Sequence, residues 1–383
     1  MRAALIGLPQ PGEGALPVIA GQSLARRQLA FARELGCTSV IAYGGGASPD
    51  AIDLRHAAER AGMKYQVIST THALPGIIGD DDSLLVLQSG LLPESRTALD
   101  LLRAEGDRLL IVSAGPGATA GLERIDLDRA WAGALTIPGR WLGKVASLPE
   151  DAAPQPALLR IALQQRLPEA RLADAMLDDG KWSVVTSQEA ARQRAAAWQR
   201  THLGEISPSA PSRWLGRFIV TGPGSGMLDL RFAKPALLAL TAILLGSGIA
   251  ATFYELPVLG FALTALSAPV LEAFLAMSRL GVAPFGKLRR LPWLRWLVDA
   301  ALLVQGVLAI DGLHHRTIFP PLVLVSVLLL LDRRKLATWL EPTRDRMLVA
   351  GLLAAVSAVV PPEQAIMLAS LLVLAASLLP DRS

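Results

Sequence analysis

The chain has 383 residues, 52% of them hydrophobic, and a formal net charge of +4. Before Pro235 there are 25 basic and 24 acidic residues, whereas from Pro235 on there are 12 and 9. The excess therefore lies mostly among apolar stretches, which suits anionic headgroups and argues against nucleic acid, and the single Cys37 excludes an internal disulfide and a cysteine-rich metal site.

The N-terminal run Met1–Leu8 is apolar for too few residues before Pro9 and Pro11 to read as a signal peptide. Ala3–Leu8 instead predicts a first buried strand. A Gly/Pro-rich loop follows, then an amphipathic helix over Ser23–Leu35 and a strand over Ser39–Tyr43 that ends in Gly44-Gly45-Gly46. Asp50 is placed to cap a helix through Ala61, and Tyr65–Ser69 reads as the next strand. Ser83–Gln88 and Leu109–Ser113 are continuous apolar runs, as expected of strands buried on both faces. This rhythm predicts a largely parallel sheet with helices on both faces. Later elements are a strand over Trp131–Pro138, helices over Trp141–Leu148, Ala157–Gln165 and Leu172–Met176, a strand over Trp182–Thr186, and a helix over Gln188–Arg200.

Ser207–Ser212 is a linker, and Arg213–Val220 suits an interfacial helix with Trp214 and arginines at headgroup level. Six apolar stretches follow: Pro235–Phe253, Pro257–Met277, Leu294–Ile310, Phe319–Leu331, Met347–Val360 and Ala365–Leu379. If all six span, eleven lysines and arginines fall on one side and Arg316 alone on the other. That asymmetry puts both termini and the front half in the cytoplasm, with a multi-pass anchor in the inner membrane. The expected domains are residues 1–206 (soluble α/β), 207–234 (linker and interfacial helix) and 235–383 (membrane).

The first loop, Leu8–Pro17, carries Gly12 and Gly14 between a strand and a helix. Parallel α/β proteins bind phosphates there, through backbone N–H groups and a helix N-terminus. The spacing is neither G-x-G-x-x-G nor a Walker loop, so a plain surface turn stands beside the phosphate reading. Asp80-Asp81-Asp82 precedes a strand and reads as a solvated turn, as does Asp178-Asp179. His72 lies at a strand end on the possible ligand edge, and no histidine spacing suggests zinc.

The run from Pro17 through Gln22-Ser23-Leu24 to Arg27-Gln28-Leu29, followed by Leu35–Gly44, resembles the opening of the sugar-nucleotidyltransferase family. The resemblance covers roughly the first 200 residues and implies a three-layer α/β domain that takes a nucleotide with Mg²⁺. It makes Gly12, Gly14, Gly44 and Ser89 candidate nucleotide-binding residues. The family's arginine after the glycines and its Lys-Pro pair are missing, with Leu16-Pro17 in the latter's place. Ser89-Gly90 stands where the family's metal-binding aspartate ends a strand.

The whole layout is similar to fused cytidylyltransferase and CDP-alcohol phosphatidyltransferase enzymes. The transferase motif, D-G-x2-A-R-x8-G-x3-D-x3-D, holds two metal ions on its carboxylates. Here Ser278-Arg279 matches Ala-Arg, Phe274-Leu275 replaces Asp-Gly, and only Asp299 remains of the paired aspartates. Ionisable groups inside spans mark functional sites by default, so Glu272, Arg279 and Asp299 form a candidate headgroup site, or else structural pairs with Arg279, Arg290 or Arg295. The expectation is an all-α membrane domain of about six transmembrane helices. The protein would be membrane-tethered and nucleotidyltransferase-like and act in polar-lipid or envelope headgroup metabolism with degenerate motifs, or serve as a non-catalytic nucleotide- or lipid-binding scaffold of a lipid-biosynthesis complex. Its partners would be membrane lipid, a nucleotide or nucleotide-activated alcohol, and a second copy through the membrane domain.

Overall fold

The computed structural model describes residues 1–10, 12, 14–149, 152–204, 209–222, 232–285, 291–334 and 338–378. The chain divides into two compact units, Met1–Ala195 with Pro284–Gly286, and Ala196–Ala283 with Lys287–Ser383.

The first unit begins with β1 (Arg2–Gly7), the short hairpin of β2 (Val18–Ile19) and β3 (Gln22–Ser23), α1 (Leu24–Glu34), β4 (Ser39–Tyr43), α2 (Pro49–Arg60), β5 (Lys64–Ile68), β6 (Ser83–Leu87) and β7 (Leu91–Pro93). It continues with α3 (Arg96–Arg103), β8 (Leu109–Ser113), α4 (Ala114–Thr119), β9 (Arg129–Pro138), α5 (Pro154–Gln164), β10 (Glu169–Arg171), α6 (Ala175–Asp178) and β11 (Trp182–Val184). The first unit ends within α7 (Gln188–Leu203).

Seven strands form one sheet in the order β10-β8-β9-β6-β1-β4-β5. Alternation along β1 builds the three layers: Ala4 and Ile6 pack with Leu29, Leu54 and Leu99 on one face, while Ala3 and Leu5 pack with Leu142, Leu158 and Ile161 on the other. β4, β5 and β6 run parallel to β1 or to its neighbour, as the rhythm implied. β9 differs, being antiparallel to both β6 and β8. The link from β8 to β9 holds the six-residue α4 and returns the chain antiparallel beside β8.

Three local expectations change. Ser48, not Asp50, caps α2, its Oγ accepting from Ala51 N at 3.1 Å. Asp50 accepts instead from Leu16 N at 3.0 Å and fastens the first loop. Of the segment expected as a helix over Leu172–Met176, only Ala175 and Met176 are helical, as the first half of the four-residue α6. β11 leaves the main sheet to pair with β7, and its Trp182 is fully buried, with Nε1 donating to Ala132 O at 2.5 Å.

The second unit is helical: α8 (Pro211–Thr221), α9 (Ala233–Phe253), α10 (Pro257–Val282), α11 (Arg295–Leu308), α12 (His314–Leu331), α13 (Arg346–Ser357) and α14 (Pro362–Leu378). All six apolar stretches become helices. Only α9 and α10, however, are long and apolar enough to cross a membrane among the described residues. α11 and α13 have 14 and 12 residues, against the roughly 20 of a straight crossing. This corrects the expectation of about six full-length spans. The basic loop residues Lys287, Arg289, Arg290, Lys335 and Arg382 lie outside the described residues.

The bundle is patterned with polar groups inside. Thr241, Thr252, Thr264, Ser267, Gln305 and Ser370 are buried, while Ile243, Leu266 and Leu371 are each about three-fifths exposed. Gln305 Nε2 donates to Thr264 Oγ1 at 2.8 Å, joining α11 to α10. α8 lies against α10 closely enough that a Cβ on Gly216 would meet Glu272 Cβ at 2.7 Å.

Candidate functional sites

At the sheet's carboxyl edge the structure gathers part of the expected nucleotide set. Leu8 N donates to Tyr43 O at 2.8 Å, and Gly45 N donates to Pro9 O at 3.1 Å, so the loops after β1 and β4 are laced together. Gly44 has φ +133°, and a Cβ there would strike Leu8 O. Ser89 sits beside Gly7, where a Cβ on the glycine would strike its Oγ. Gly12 and Gly14 lie apart from this packing, with open space around each Cβ position.

Neighbouring side chains shape the edge. Gln28 Nε2 donates to Gln88 O and Leu91 O at 2.9 and 3.0 Å, pinning the strand end that carries Ser89. Gln155, on α5, donates to Ser89 Oγ at 3.4 Å. Three buried atoms have no hydrogen-bond partner among the described residues: Gln28 Oε1, Gln88 Oε1 and His72 Nδ1. Sequence reasoning singled out His72 but missed Gln28, Gln88 and Gln155. Their signal was slight: glutamines on a helix face or at a strand end read as surface residues until the packing is known.

The donors around Ser89 are neutral amides and hydroxyls, which do not fit a divalent cation that wants carboxylates. Among the described residues no group of three or more His, Cys, Asp or Glu side chains is placed to hold a metal. Asp82 accepts from Gly79 N at 3.1 Å in the turn before β6, on the opposite edge of the sheet.

Among the strongly perturbed titratable groups of this unit are Glu94 and Cys37. Burial pushes the Glu94 carboxyl up to about 8, against the opposing pull of Arg27 and Arg194. Burial pushes the Cys37 thiol up to about 12.

The second site lies within the helical unit. Glu272 on α10 is gripped by Arg295 at the start of α11, Nε to Oε1 at 2.6 Å and Nη2 to Oε2 at 2.8 Å. Asp299, one turn further along α11, is gripped by Arg346 at the start of α13, at 2.8 and 3.0 Å. Arg346 also binds both oxygens of Asp332 and the Arg344 carbonyl. All its N–H donors are thereby used. Arg279 is exposed and makes no ion pair among the described residues, so the structure does not bring it to Glu272 or Asp299, whose partners are Arg295 and Arg346. An arginine as the first residue of an apolar helix was the available signal.

Around these pairs lies a cleft of about 40 Å³, lined by Arg213, Glu272, Arg295, Glu341, Arg344 and Asp345 among others. Glu341 pairs with Arg344 at 3.0 Å. Asp345 accepts from Ser212 N, Ser212 Oγ and Met347 N. Arg213, on α8, makes no ion pair among the described residues. Burial first, then the charge of Arg295, lowers its pKa from the ordinary arginine value. The carboxylates of Asp299 and Glu272 are each held bidentately by an arginine, a cation where the transferase resemblance implied metal ions.

No protein-family model matches the chain, and no curated protein matches it. Among solved structures, the chain is similar to one described as a glucose-1-phosphate thymidylyltransferase from Bacillus anthracis in complex with a sucrose. The identity is 10% and the TM-score 0.40, over 51% of this chain and 94% of that one. It is also similar to a UDP-glucose pyrophosphorylase from Acinetobacter baumannii, with 10% identity and a TM-score of 0.39, over 53% of this chain and 94% of that one.

Proposed function

We propose that the chain is a membrane-embedded, nucleotidyltransferase-like protein of polar-lipid headgroup metabolism that binds its ligands without two-metal transfer chemistry. The α/β unit offers a carboxyl-edge pocket for a nucleotide or nucleotide-activated alcohol. The helical unit sits in the cytoplasmic membrane with the arginine-rich cleft at its cytoplasmic end.

The observation that carries this reading is the pairing inside the helical unit. Asp299 and Glu272 are held by Arg346 and Arg295 in bidentate geometry, so the carboxylates a two-metal site would need are neutralised by the chain itself. Membrane embedding is supported by the exposed apolar side chains of the bundle, Ile243, Leu266 and Leu371 among them, around an interior that holds apolar and polar groups together. α9 and α10 have the length to cross directly; the shorter helices would reach through tilt, flanking residues or local bilayer thinning. Arg295, Arg344 and Arg346 meet at one end of the bundle, the end that the positive-inside rule places in the cytoplasm.

The test uses full-length protein in lipid nanodiscs, titrated with CTP, UTP and a CDP-alcohol, with and without Mg²⁺. Micromolar binding of one nucleotide, with no CMP released from the CDP-alcohol, is expected. Steady Mg²⁺-dependent CMP release that is lost in Asp299→Asn would overturn the non-catalytic reading. No nucleotide binding at all would leave only a lipid-binding role.

A further inference from the structure

The arginine cleft is not isolated. Directly beside it runs an apolar groove of about 540 Å³, lined by Ala265, Pro342, Thr343, Met347, Gly351 and Ala355 among others. The two are interleaved along the chain. Residues 342, 343 and 347 line the groove, whereas 344, 345 and 346 line the cleft, and on α10 Ala265 of the groove lies one turn from Ala268 of the cleft. Met347, Gly351 and Ala355 recur at helical spacing, so one face of α13 forms the groove floor over roughly 12 Å. Its small residues leave the depth: a Cβ on Gly351 would meet nothing within 4 Å.

The chemistry of the two ends is complementary to one class of molecule. The groove is almost wholly apolar. The cleft has room for roughly three waters, enough for one phosphate group and too little for a nucleotide. Its carboxylates already accept from arginines, Ser212 or backbone N–H groups. The half-buried Arg213 guanidinium makes no ion pair among the described residues, and the nearby charges of Glu272 and Glu341 that act on it are already bound to Arg295 and Arg344. An arginine without an ion pair among the described residues, beside a lipid-sized slot in a unit read as membrane-embedded, suits an anion that carries its own hydrocarbon.

We propose that this cleft and groove together bind one bilayer phospholipid, its phosphate on Arg213 and an acyl chain along α13 over Gly351. The proposal rests on the membrane-embedded reading above but not on nucleotide binding by the α/β unit. The lipid is held whole, without metal and without a bond made or broken.

The test is a thermal-shift titration of full-length protein in a non-ionic detergent. The probes are dioctanoyl phosphatidylglycerol, glycerophosphoglycerol (headgroup only) and dioctanoylglycerol (tails only). The intact lipid is expected to bind at least tenfold more tightly than either fragment. Arg213→Gln should weaken the intact lipid at least tenfold and leave dioctanoylglycerol unchanged. Gly351→Leu, which fills open space and should fold normally, should weaken the intact lipid at least tenfold and leave the headgroup fragment unchanged. Equal binding of intact lipid and headgroup fragment would overturn the groove's part. Wild-type affinity in both variants would overturn the proposal entirely. A CTP titration run in parallel separates the two readings: lipid binding without CTP binding removes the nucleotide function and keeps this site, and the converse keeps the function and removes this site.

Discussion

Ser212 donates both its backbone N–H and its hydroxyl to a single carboxylate oxygen of Asp345, at 2.9 and 2.8 Å, across 133 residues of sequence. The other oxygen of Asp345 accepts from Met347 N and caps α13. One carboxylate thus starts a bundle helix and fixes α8, which carries Arg213. Hydrogen bonds to a charged acceptor contribute about 1.5–3 kcal/mol, and a helix cap about 1 kcal/mol. Asp345→Ala should therefore lower the melting temperature of the full-length protein in detergent by several degrees. Ser212→Ala, which spares the cap and one backbone bond, should lower it less. Equal melting of both variants and the wild type would show that α8 is held by other contacts.

The Asp299–Arg346–Asp332 arrangement makes a graded prediction. Removing one partner of a buried ion pair costs about 3–5 kcal/mol, because an uncompensated charge remains, whereas replacing both by apolar residues is often neutral. Arg346→Leu strands two aspartates and should lose most of the folded protein. Asp299→Asn should lose less, since Asp332 still takes two of the arginine N–H groups. Asp299→Leu combined with Arg346→Leu should recover part of the loss. Monodispersity by size-exclusion chromatography reads the series. If Asp299→Asn instead gives normal yield but no ligand binding, Asp299 is part of a binding site and not a structural pair.

Topology can be read by accessibility. Cys37 is buried and its thiol is pushed up to about 12, so it should give little background labelling. Single cysteines at Leu313 and Arg334 in the full-length protein should then report opposite sides. A membrane-impermeant maleimide added to intact cells is expected to label Leu313→Cys and spare Arg334→Cys. The reverse pattern would invert the bundle and put the arginine cleft outside the cytoplasm.

Much of this architecture was legible because its signals are local. Continuous apolar runs fixed β6 and β8 within a residue, and a glycine turn marked the end of β4. The six apolar stretches of the second half each became a helix. What escaped depends on distance. β9 runs antiparallel to both of its neighbours, and no periodicity carries strand direction. The partner of Asp299 sits 47 residues away, beyond any spacing rule, so the nearer arginines Arg279, Arg290 and Arg295 were the natural candidates. Span length was over-read because an apolar stretch shows composition but not where a helix begins: α11 starts at Arg295, and α13 at Arg346 behind the Asp345 cap. At the sheet edge, the glycines announced a close approach of chains at Gly44, but not that the surrounding donors would be amides.

Glu94 gives a pH dependence with a definite sign. Burial holds its folded carboxyl at about 8, above the ordinary 4.5 of the unfolded chain. Between these values the folded state keeps a proton that the unfolded state has released, so stability falls as pH rises through the window and levels off above about 8. The size is on the order of a few kcal/mol at most. Glu94→Gln keeps the shape and removes the titration. Melting curves of the full-length protein in detergent from pH 5 to 9 should show the wild type losing stability across the window. The variant should run flatter and melt higher above pH 8. Parallel curves for the two proteins would mean that Arg27 and Arg194 stabilise the Glu94 anion enough to cancel its burial.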